Sequence, residues 1–413
     1  MRRAGAALRE ELLERGALVN YVVCVAATTA EGMLQQLYAP YLSASGHALP
    51  FIGILTSLIA VTRLLSRLPV GTAYRPERAR GLILASAVAL TLTILPFAVS
   101  GAAIVVVPFT LLHGLAFGAI TTVNLAATID ATGGRRAGAI MAWYTAALST
   151  GYALGAFFGG AAGDALGLRS ALVLTALIPL VGLIAAFWHP RLTPSPARPP
   201  AGGRGLSSLL AAAREVDTRV WLAFVVVLYS NLLSDSVDYL FPLYALGIGL
   251  PLAASGILKG LKSSSATVIR FGSLALFRWV DHATINSWGV IAMGVAMFLL
   301  PVAPGFPALV GLFVVAGLCR GILRVTSAAT VADMRADGKE VGLASAIYNA
   351  GLDVGSIVGP GVAGVVGSGI GLGAMFQVMA VGALVMYFAV ALSTAAGRAS
   401  LSFRGRARSA TAR

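Results

Sequence analysis

The sequence predicts an all-α polytopic membrane protein, with twelve transmembrane helices in two parallel-repeat six-helix bundles around a central cavity. Three observations lead to this prediction. Hydrophobic residues make up 58% of the 413 residues and charged residues only 11%, which is too apolar for a soluble domain. Twelve apolar runs are each long enough to cross a bilayer as a helix. The two halves of the chain also repeat the same residues at a nearly constant shift.

The apolar runs and the segments between them define the predicted organisation. Residues 1–17 form a short charged cytoplasmic lead-in, and residues 395–413 form a basic cytoplasmic tail. Pro and Gly are dense enough in residues 189–219 to mark a cytoplasmic linker between an N-terminal six-helix bundle, 18–188, and a C-terminal one, 220–394. The predicted spans, numbered 1 to 12, are 18–42, 51–73, 81–99, 103–128, 139–163, 169–188, 220–245, 252–277, 286–303, 308–331, 341–365 and 373–394.

The basic residues report the topology of the chain. They are concentrated in alternate loops, for example at Arg75, Arg135, Arg191 and Lys339, while the opposite loops are nearly bare. Cytoplasmic loops carry the excess of Lys and Arg, so both termini are predicted to be cytoplasmic. The net charge of +14 therefore indicates a multi-pass protein of the cell (inner) membrane and not a surface that binds nucleic acid.

The repeat between the two halves is visible in polar residues as well as in glycines. A shift of 203 residues aligns Arg67 with Arg270, and a shift of 204 aligns Tyr144 with Tyr348. Polar matches in so constant a register are unlike chance matches in a Gly- and Ala-rich chain. They indicate a parallel duplication of six helices plus six.

Spans 7 and 8 carry two acids and two lysines inside apolar runs, at Asp235, Asp238, Lys259 and Lys262. Each pair is spaced i, i+3 and so lies on one helix face. A hairpin folded about the turn 246–251 brings Asp238 level with Lys259, and Asp235 level with Lys262. A charge near mid-membrane costs at least about 2.5 kcal/mol unless it is paired or in water. The pairs either only hold two helices together or form a charged wall of the central cavity.

Glycine motifs occur at related places in the two halves. Span 5 contains Gly151-Tyr-Ala-Leu-Gly155-Ala-Phe-Phe-Gly-Gly, and span 11 contains Gly355-Ser-Ile-Val-Gly359-Pro360. Small residues of this kind let helices approach closely and slide or bend. After span 2, a glycine precedes a basic run between residues 71 and 80.

With these motifs, the whole chain resembles the Major Facilitator Superfamily. The stretch 71–80 is similar to the family signature between helices 2 and 3, with Arg75 in place of the expected acidic residue. Span 5 looks like the family's antiporter motif, with Ala156 in place of its proline. The resemblance implies a transporter that works by alternating access, in which spans 1, 4, 7 and 10 line the central cavity.

Polar residues at mid-depth are the candidates for function. Glu31 on span 1 is the leading candidate for binding and releasing a proton, and the alternative is a structural tie between Glu31 and a cation such as Arg320. Arg320 and Arg324 suit a carboxylate or phosphate on a ligand, and the alternative is that Asp353 neutralises them across the hairpin of spans 10 and 11. The predicted proton-coupling residues are Glu31, Asp235, Asp238 and Asp353. The predicted substrate-binding residues are His113, Lys259, Lys262, Arg320, Arg324 and Gln35.

A cytoplasmic gate is predicted from the ends of spans 2 and 4. An ion pair between Asp130 and Arg75 or Arg80 would close this side and break as the halves rock. Surface ion pairs are worth under about 1 kcal/mol, so the latch would bias the equilibrium without locking it. The predicted gating residues are Gly71, Arg75, Arg80, Asp130, Arg278, Asp333, Gly151, Gly155, Gly355, Gly359 and Pro360.

No enzyme motif is found in the sequence. A Gly-Lys-Ser/Thr phosphate loop, a Gly-x-Ser-x-Gly elbow, a His-Glu-x-x-His helix and a Cys/His cluster are all missing, so neither a metal nor a cofactor is predicted. The predicted function is secondary active transport of a small polar or charged organic solute, by proton-coupled efflux, in a monomer embedded in the bilayer. The alternatives are a proton-coupled uptake symporter and a transporter-like sensor or receptor that does not transport.

Overall fold

The computed structural model describes residues 15–131, 137–189, 217–276, 282–336 and 341–393. These residues form twelve long α-helices, and the predicted all-α fold of a polytopic membrane protein is confirmed. The helices are α1 (Arg15–Ala44), α2 (Leu49–Ala73), α3 (Ala79–Val99), α4 (Ala103–Ala131), α5 (Ala137–Leu166), α6 (Leu168–Ala186), α7 (Thr218–Gly247), α8 (Leu252–Leu276), α9 (His282–Leu299), α10 (Phe306–Ala336), α11 (Val341–Ile370) and α12 (Leu372–Ser393).

Each helix corresponds to one predicted span, and most run a few residues beyond it. Ten helical segments among the described residues are long and apolar enough to cross a membrane by length and composition. The other two helices are α5 and α8. Helix α8 has lower hydropathy because it carries Lys259, Lys262 and Arg270.

The chain divides into two compact units. The first contains α1 to α6 with residues Ser236–Ser264 and Pro360–Leu372, and the second contains the rest of α7, α8 and α11 with α9, α10 and α12. The predicted division at the linker stays a prediction, because residues 190–216 lie outside the described part of the chain. The same applies to most of the predicted lead-in and to all of the predicted tail.

In the first unit, α1 is the central helix. It packs against α4, α5 and α6, while α2 packs against α4, and α3 packs against α4 and α6. The approach of α1 to α5 is close because small residues face each other. A Cβ added to Gly155 would lie 2.8 Å from the Cα of Gly32, so the two backbones touch there.

Two further close contacts join α5 to α8 and α2 to α11, also within the first unit. A Cβ added to Gly160 would lie 2.8 Å from the carbonyl carbon of Leu252, and one added to Gly53 would lie 2.6 Å from the carbonyl oxygen of Pro360. Larger residues at either glycine would push these helices apart. The predicted role of span 5 and span 11 glycines in close helix packing therefore fits the structure.

The turn between α7 and α8 is built as predicted. Helix α7 ends at Gly247 and α8 begins at Leu252. Gly249 adopts a left-handed φ of 80°, and the amide of Leu250 donates 2.8 Å to the carbonyl of Ala245, as in a glycine-terminated helix. We call the side of the first unit on which the α7–α8 turn lies the turn end.

The second unit is held together by buried polar contacts between its helices. Tyr229 on α7 donates a 2.8 Å hydrogen bond to the carbonyl of Val290 on α9, and Thr326 on α10 bonds the side chain of Asn286 on α9. A Cβ added to Gly355 on α11 would lie 2.5 Å from the carbonyl oxygen of Leu228 on α7. These contacts fix α7 against α9 and α11.

Candidate functional site

Glu31 on α1 and His113 on α4 form a fully buried pair in the first unit. The Nε2 atom of His113 lies 2.8 Å from Oε2 of Glu31, and both side chains are 0% exposed. On its other side the imidazole approaches Thr93 of α3, with Nδ1 3.5 Å from the hydroxyl oxygen. A carboxylate and an imidazole at this distance form a hydrogen bond through which a proton can be shared.

The second oxygen of Glu31 is held from α7. Tyr239 donates its hydroxyl to Oε1 at 3.1 Å, and Gln35 donates its amide to the same atom at 3.3 Å. Arg63 on α2 and Lys259 on α8 also act electrostatically on the carboxylate. Within the first unit, Glu31 is held by His113, Tyr239 and Gln35. The predicted tie to Arg320 would join the two units and stays a prediction. Sequence analysis missed Tyr239, whose position next to Asp238 was the only available signal.

The charged residues of α7 and α8 pair differently from the predicted ladder. Lys262 donates to Oδ1 of Asp238 at 2.6 Å, with 1% and 11% of the two side chains exposed. Lys259 instead donates to two backbone carbonyls, 3.2 Å to Gln35 and 2.5 Å to Asp238. The rung predicted between the side chains of Asp238 and Lys259 is therefore wrong. The rung predicted between Asp235 and Lys262 would join the two units and stays a prediction.

The sequence of α7 explains why Lys262, and not Lys259, pairs with the carboxylate of Asp238. In an α-helix the carbonyl of residue 238 would accept from the amide of residue 242, which is a proline inside α7 and has no N–H. The carbonyl of Asp238 is left without its intrahelical donor, and the ammonium group of Lys259 supplies one. The carboxylate of Asp238 then remains available to Lys262, one helical turn further along α8.

The turn end of α8 is held by α1 and α5. Asp164, near the end of α5, accepts hydrogen bonds from the backbone amides of Leu252 at 3.0 Å and Ala253 at 2.7 Å. The carboxylate therefore caps the positive N-terminus of α8. Gln36 on α1 donates to the carbonyl of Leu252 at 2.9 Å and to the hydroxyl of Ser255. Sequence analysis missed Asp164, since nothing local marks an acid that caps a helix 88 residues away.

The second unit contains a separate cluster of charged residues. Arg320 donates to Asp235 at 3.2 Å, and Arg324 donates to the side-chain oxygen of Asn231 at 2.8 Å. Asn231 is itself anchored on α11, since it donates to the carbonyl of Leu352 at 2.9 Å and to Ser356 at 3.2 Å.

Asp353 and Tyr348, the tyrosine that the repeat aligns with Tyr144, both lie on α11. Asp353 follows directly after Leu352 and is 4% exposed. Tyr348 donates to the carbonyl of Arg324 at 3.2 Å, and Arg270 on α8 interacts electrostatically with Arg320, Arg324 and Tyr348. In the sequence, Arg270 is marked only by its match to Arg67 in the repeat, and no local signal assigns it to a site.

The predicted cytoplasmic latch has other partners in this structure. Asp130 accepts a 2.8 Å hydrogen bond from Tyr74, while Arg75 donates to the carbonyls of Thr72 and Tyr74. Arg80 lies 5.9 Å from the centre of the Phe187 ring. Among the described residues neither arginine pairs with Asp130, so the predicted ion pair is not formed here. Burial and the neighbouring Asp130 carboxylate raise the pKa of Tyr74, which keeps its hydroxyl protonated as the donor.

The remaining predicted gating residues are partly outside the described structure. Arg278 lies outside the described residues, and Asp333 lies on α10 without a described side chain. Gly71 packs loosely, since an added Cβ would be 4.0 Å from Thr122. Gly151 faces α1, where an added Cβ would lie 2.7 Å from the carbonyl oxygen of Val25. Gly359 lies within α11.

Comparison with known proteins identifies the family. The family model for the Major Facilitator Superfamily matches residues 21–300 and 283–410, which together cover nearly the whole chain. The chain belongs to the Major Facilitator Superfamily. It is therefore a transporter of small molecules and not an enzyme, and its family works by alternating access. No match is found among curated protein sequences.

Solved structures of other Major Facilitator Superfamily proteins share the fold. A bacterial homologue of the human lysosomal transporter Spinster, in an inward-facing and unoccupied conformation, gives a TM-score of 0.74 at 12% identity, over 94% of this chain and 97% of that chain. The nucleoside transporter NupG gives a TM-score of 0.67 at 14% identity, over 94% and 99%. At these identities the likeness shows the fold alone.

The buried Lys262–Asp238 pair yields a prediction about stability. Lys262→Met or Asp238→Leu alone should lower the free energy of unfolding by about 3–5 kcal/mol, because each leaves a buried charge without its partner. The double variant should regain most of this loss. The measurement is the midpoint of thermal unfolding of the purified protein in detergent.

A matched control is the exposed pair of Arg219 and Asp217, 3.0 Å apart, in which 44% and 17% of the side chains are exposed. Arg219→Met should change the free energy of unfolding by less than about 1 kcal/mol. If the Lys262→Met/Asp238→Leu double variant is no more stable than the less stable of its two single variants, the pairing of Lys262 with Asp238 is contradicted.

Proposed function

We propose that this protein is a proton-coupled secondary transporter of a small polar or charged organic solute, in which Glu31 and His113 bind and release the proton. The observation that carries the proposal is their fully buried contact at 2.8 Å, to which α7 adds Tyr239. A titratable pair buried at membrane depth is costly and marks a functional site in membrane proteins. Together with Tyr239, the pair connects α1, α4 and α7.

The charge of Glu31 controls how firmly α7 is held to α1. A hydrogen bond to a carboxylate is roughly twice as strong as one between neutral groups, so protonation weakens the contact with Tyr239. Tyr239 follows Asp238, which binds Lys262 and, through its backbone, Lys259. Proton binding at Glu31 therefore alters the support of the segment of α7 that carries both lysine contacts.

The contacts at the turn end supply a gate for alternating access. With the termini in the cytoplasm, as the basic loops indicate, the turn end faces the outside of the cell membrane. Closure there uses the cap of Asp164 on α8, the bonds from Gln36 and the glycine contacts of α5. Each contact is weak enough to be broken and reformed during a transport cycle.

The direction we propose is efflux by antiport with protons, carried out by a monomer. Its support is the glycine pattern of α5, where Gly151 and Gly155 let the helix slide against α1. Proton-coupled uptake would use the same Glu31–His113 pair with the opposite sign of coupling. A sensor that binds without transporting would keep the charged clusters and move no protons.

Proton flux in liposomes tests the coupling. Purified protein is reconstituted with a pH-sensitive dye inside the vesicles and challenged with a panel of metabolites and drugs. The parent should show solute-evoked proton movement, and Glu31→Gln should lose it, because the amide has the same shape but takes up no proton. The sign of the flux distinguishes antiport from symport.

Arg169→Gln serves as the control, since Arg169 lies exposed at the turn end, away from the Glu31 pair. It should retain the flux of the parent. Undiminished flux in Glu31→Gln would overturn the role of this residue. Saturable solute binding with no flux under any condition would favour the sensor.

The cap of Asp164 on α8 yields a prediction about the gate. Asp164→Ala should raise hydrogen–deuterium exchange of the amides of Leu252 and Ala253, because an N-terminal cap is worth about 1 kcal/mol, which is about a fivefold change in opening. The control is Asp217→Ala, which removes the 2.9 Å bond to the amide of Arg219 at the start of α7. That control should affect only the start of α7. Unchanged exchange in α8 of Asp164→Ala would contradict the gate.

A further inference from the structure

We propose that Arg270, Arg320 and Arg324 form a binding site for a carboxylate or phosphate group of the transported solute. The site lies within the second unit. This inference deepens the proposed function and rests on it only for transport, since anion binding itself is an equilibrium property of the purified protein.

The packing of α8 against α10 brings the three arginines to one place. Arg320 and Arg324 are spaced i, i+4 and so share one face of α10. A Cβ added to Gly321 would lie 2.5 Å from the carbonyl oxygen of Ala266, so the two helix backbones touch there. Arg270 follows Ala266 by one helical turn. Its electrostatic interaction with both α10 arginines is consistent with this packing.

The site is rich in positive charge. Guanidinium groups stay protonated in proteins, so the cluster contributes three positive charges. The carboxylates among the described residues of this region are Asp235, 3.2 Å from Arg320, and Asp353, buried on α11. Positive charge at membrane depth is expensive. A bound anion would remove this cost, and a neutral or cationic solute would not.

The donors are positioned before any ligand binds. Arg324 is held on Asn231, which two bonds to α11 anchor in turn, and Tyr348 fixes the carbonyl of Arg324. A planar guanidinium can use one edge for such a contact and present another to a carboxylate or phosphate. Arg320 and Asp235 keep 18% and 15% of their side chains exposed, which leaves room for atoms of a ligand to contact them.

Asp235 gives the inference a distinctive consequence. Its carboxylate occupies a terminal nitrogen of Arg320 and competes with a ligand for that guanidinium. Removing the charge of Asp235 should therefore strengthen anion binding, while removing a positive charge should weaken it. A residue with only a structural role would not raise affinity when its partner is neutralised.

The experiment measures equilibrium binding to the purified full-length protein in a neutral detergent. The probes are succinate, citrate, inorganic phosphate and glycerol 3-phosphate, with glycerol and choline as neutral and cationic counterparts at the same ionic strength. At least one anion should raise the thermal unfolding midpoint in a saturable way, and glycerol and choline should not. Arg270→Gln and Arg320→Gln should weaken that anion's affinity about tenfold or more, close to 1.4 kcal/mol. Asp235→Asn should strengthen it, and the control Arg169→Gln should leave it unchanged.

Several outcomes would overturn the inference. One is equal stabilisation by anionic, neutral and cationic probes, and another is unchanged anion affinity in both arginine variants. If the glutamine variants fail to fold, Arg270→Lys and Asp235→Asn keep the test available, because an affinity that does not rise in Asp235→Asn contradicts the competition. Stabilisation only by phosphatidylglycerol in nanodiscs, without a response to soluble anions, would assign the site to a lipid headgroup and overturn binding of a soluble solute.

The outcomes separate this inference from the proposed function. Anion-specific binding without proton flux leaves the site in place and removes coupled transport. Proton flux evoked only by neutral or cationic solutes removes the anion site and leaves coupled transport in place.

Discussion

The cost of burying charge in a membrane is the constraint on which this structure depends. An ionised side chain at mid-membrane needs an opposite charge or several hydrogen bonds, and these partners must come from neighbouring helices. Glu31 receives bonds from α4, α7 and its own helix. Lys259 is held by backbone carbonyls of α1 and α7. The same requirement that makes these residues expensive therefore fixes which helices lie together.

A proline illustrates how one such partner arises. Pro242 inside α7 cannot donate to the carbonyl of Asp238, and that carbonyl becomes the acceptor for Lys259. The carboxylate of Asp238 then goes to Lys262. Proline, lysines and aspartate form one arrangement, in which a backbone defect in one helix is repaired by a cation from the next.

The sequence predicted the helices, the α7–α8 turn and most of the residues that carry charge at membrane depth, because length, hydropathy and charge are local properties. It did not predict which side chains bind each other. The ladder between α7 and α8 placed partners by level alone. A lysine side chain spans a full helical turn, and Lys259 donates to the carbonyl of Asp238, to which Pro242 cannot donate. Tyr239 and Asp164 were missed because their partners lie 208 and about 88 residues away, at distances that only packing defines.

The central claim is that Glu31 takes up a proton within the buried pair. The most direct measurement is pH-dependent infrared difference spectroscopy of the purified protein, which needs no substrate. We expect a carbonyl band of a protonated carboxylic acid that titrates in the parent and is lost in Glu31→Gln. Its midpoint should shift in His113→Asn, because the imidazole 2.8 Å from Glu31 no longer bonds the carboxylate. A titrating band that persists unchanged in Glu31→Gln, or no such band at any accessible pH, would contradict the account.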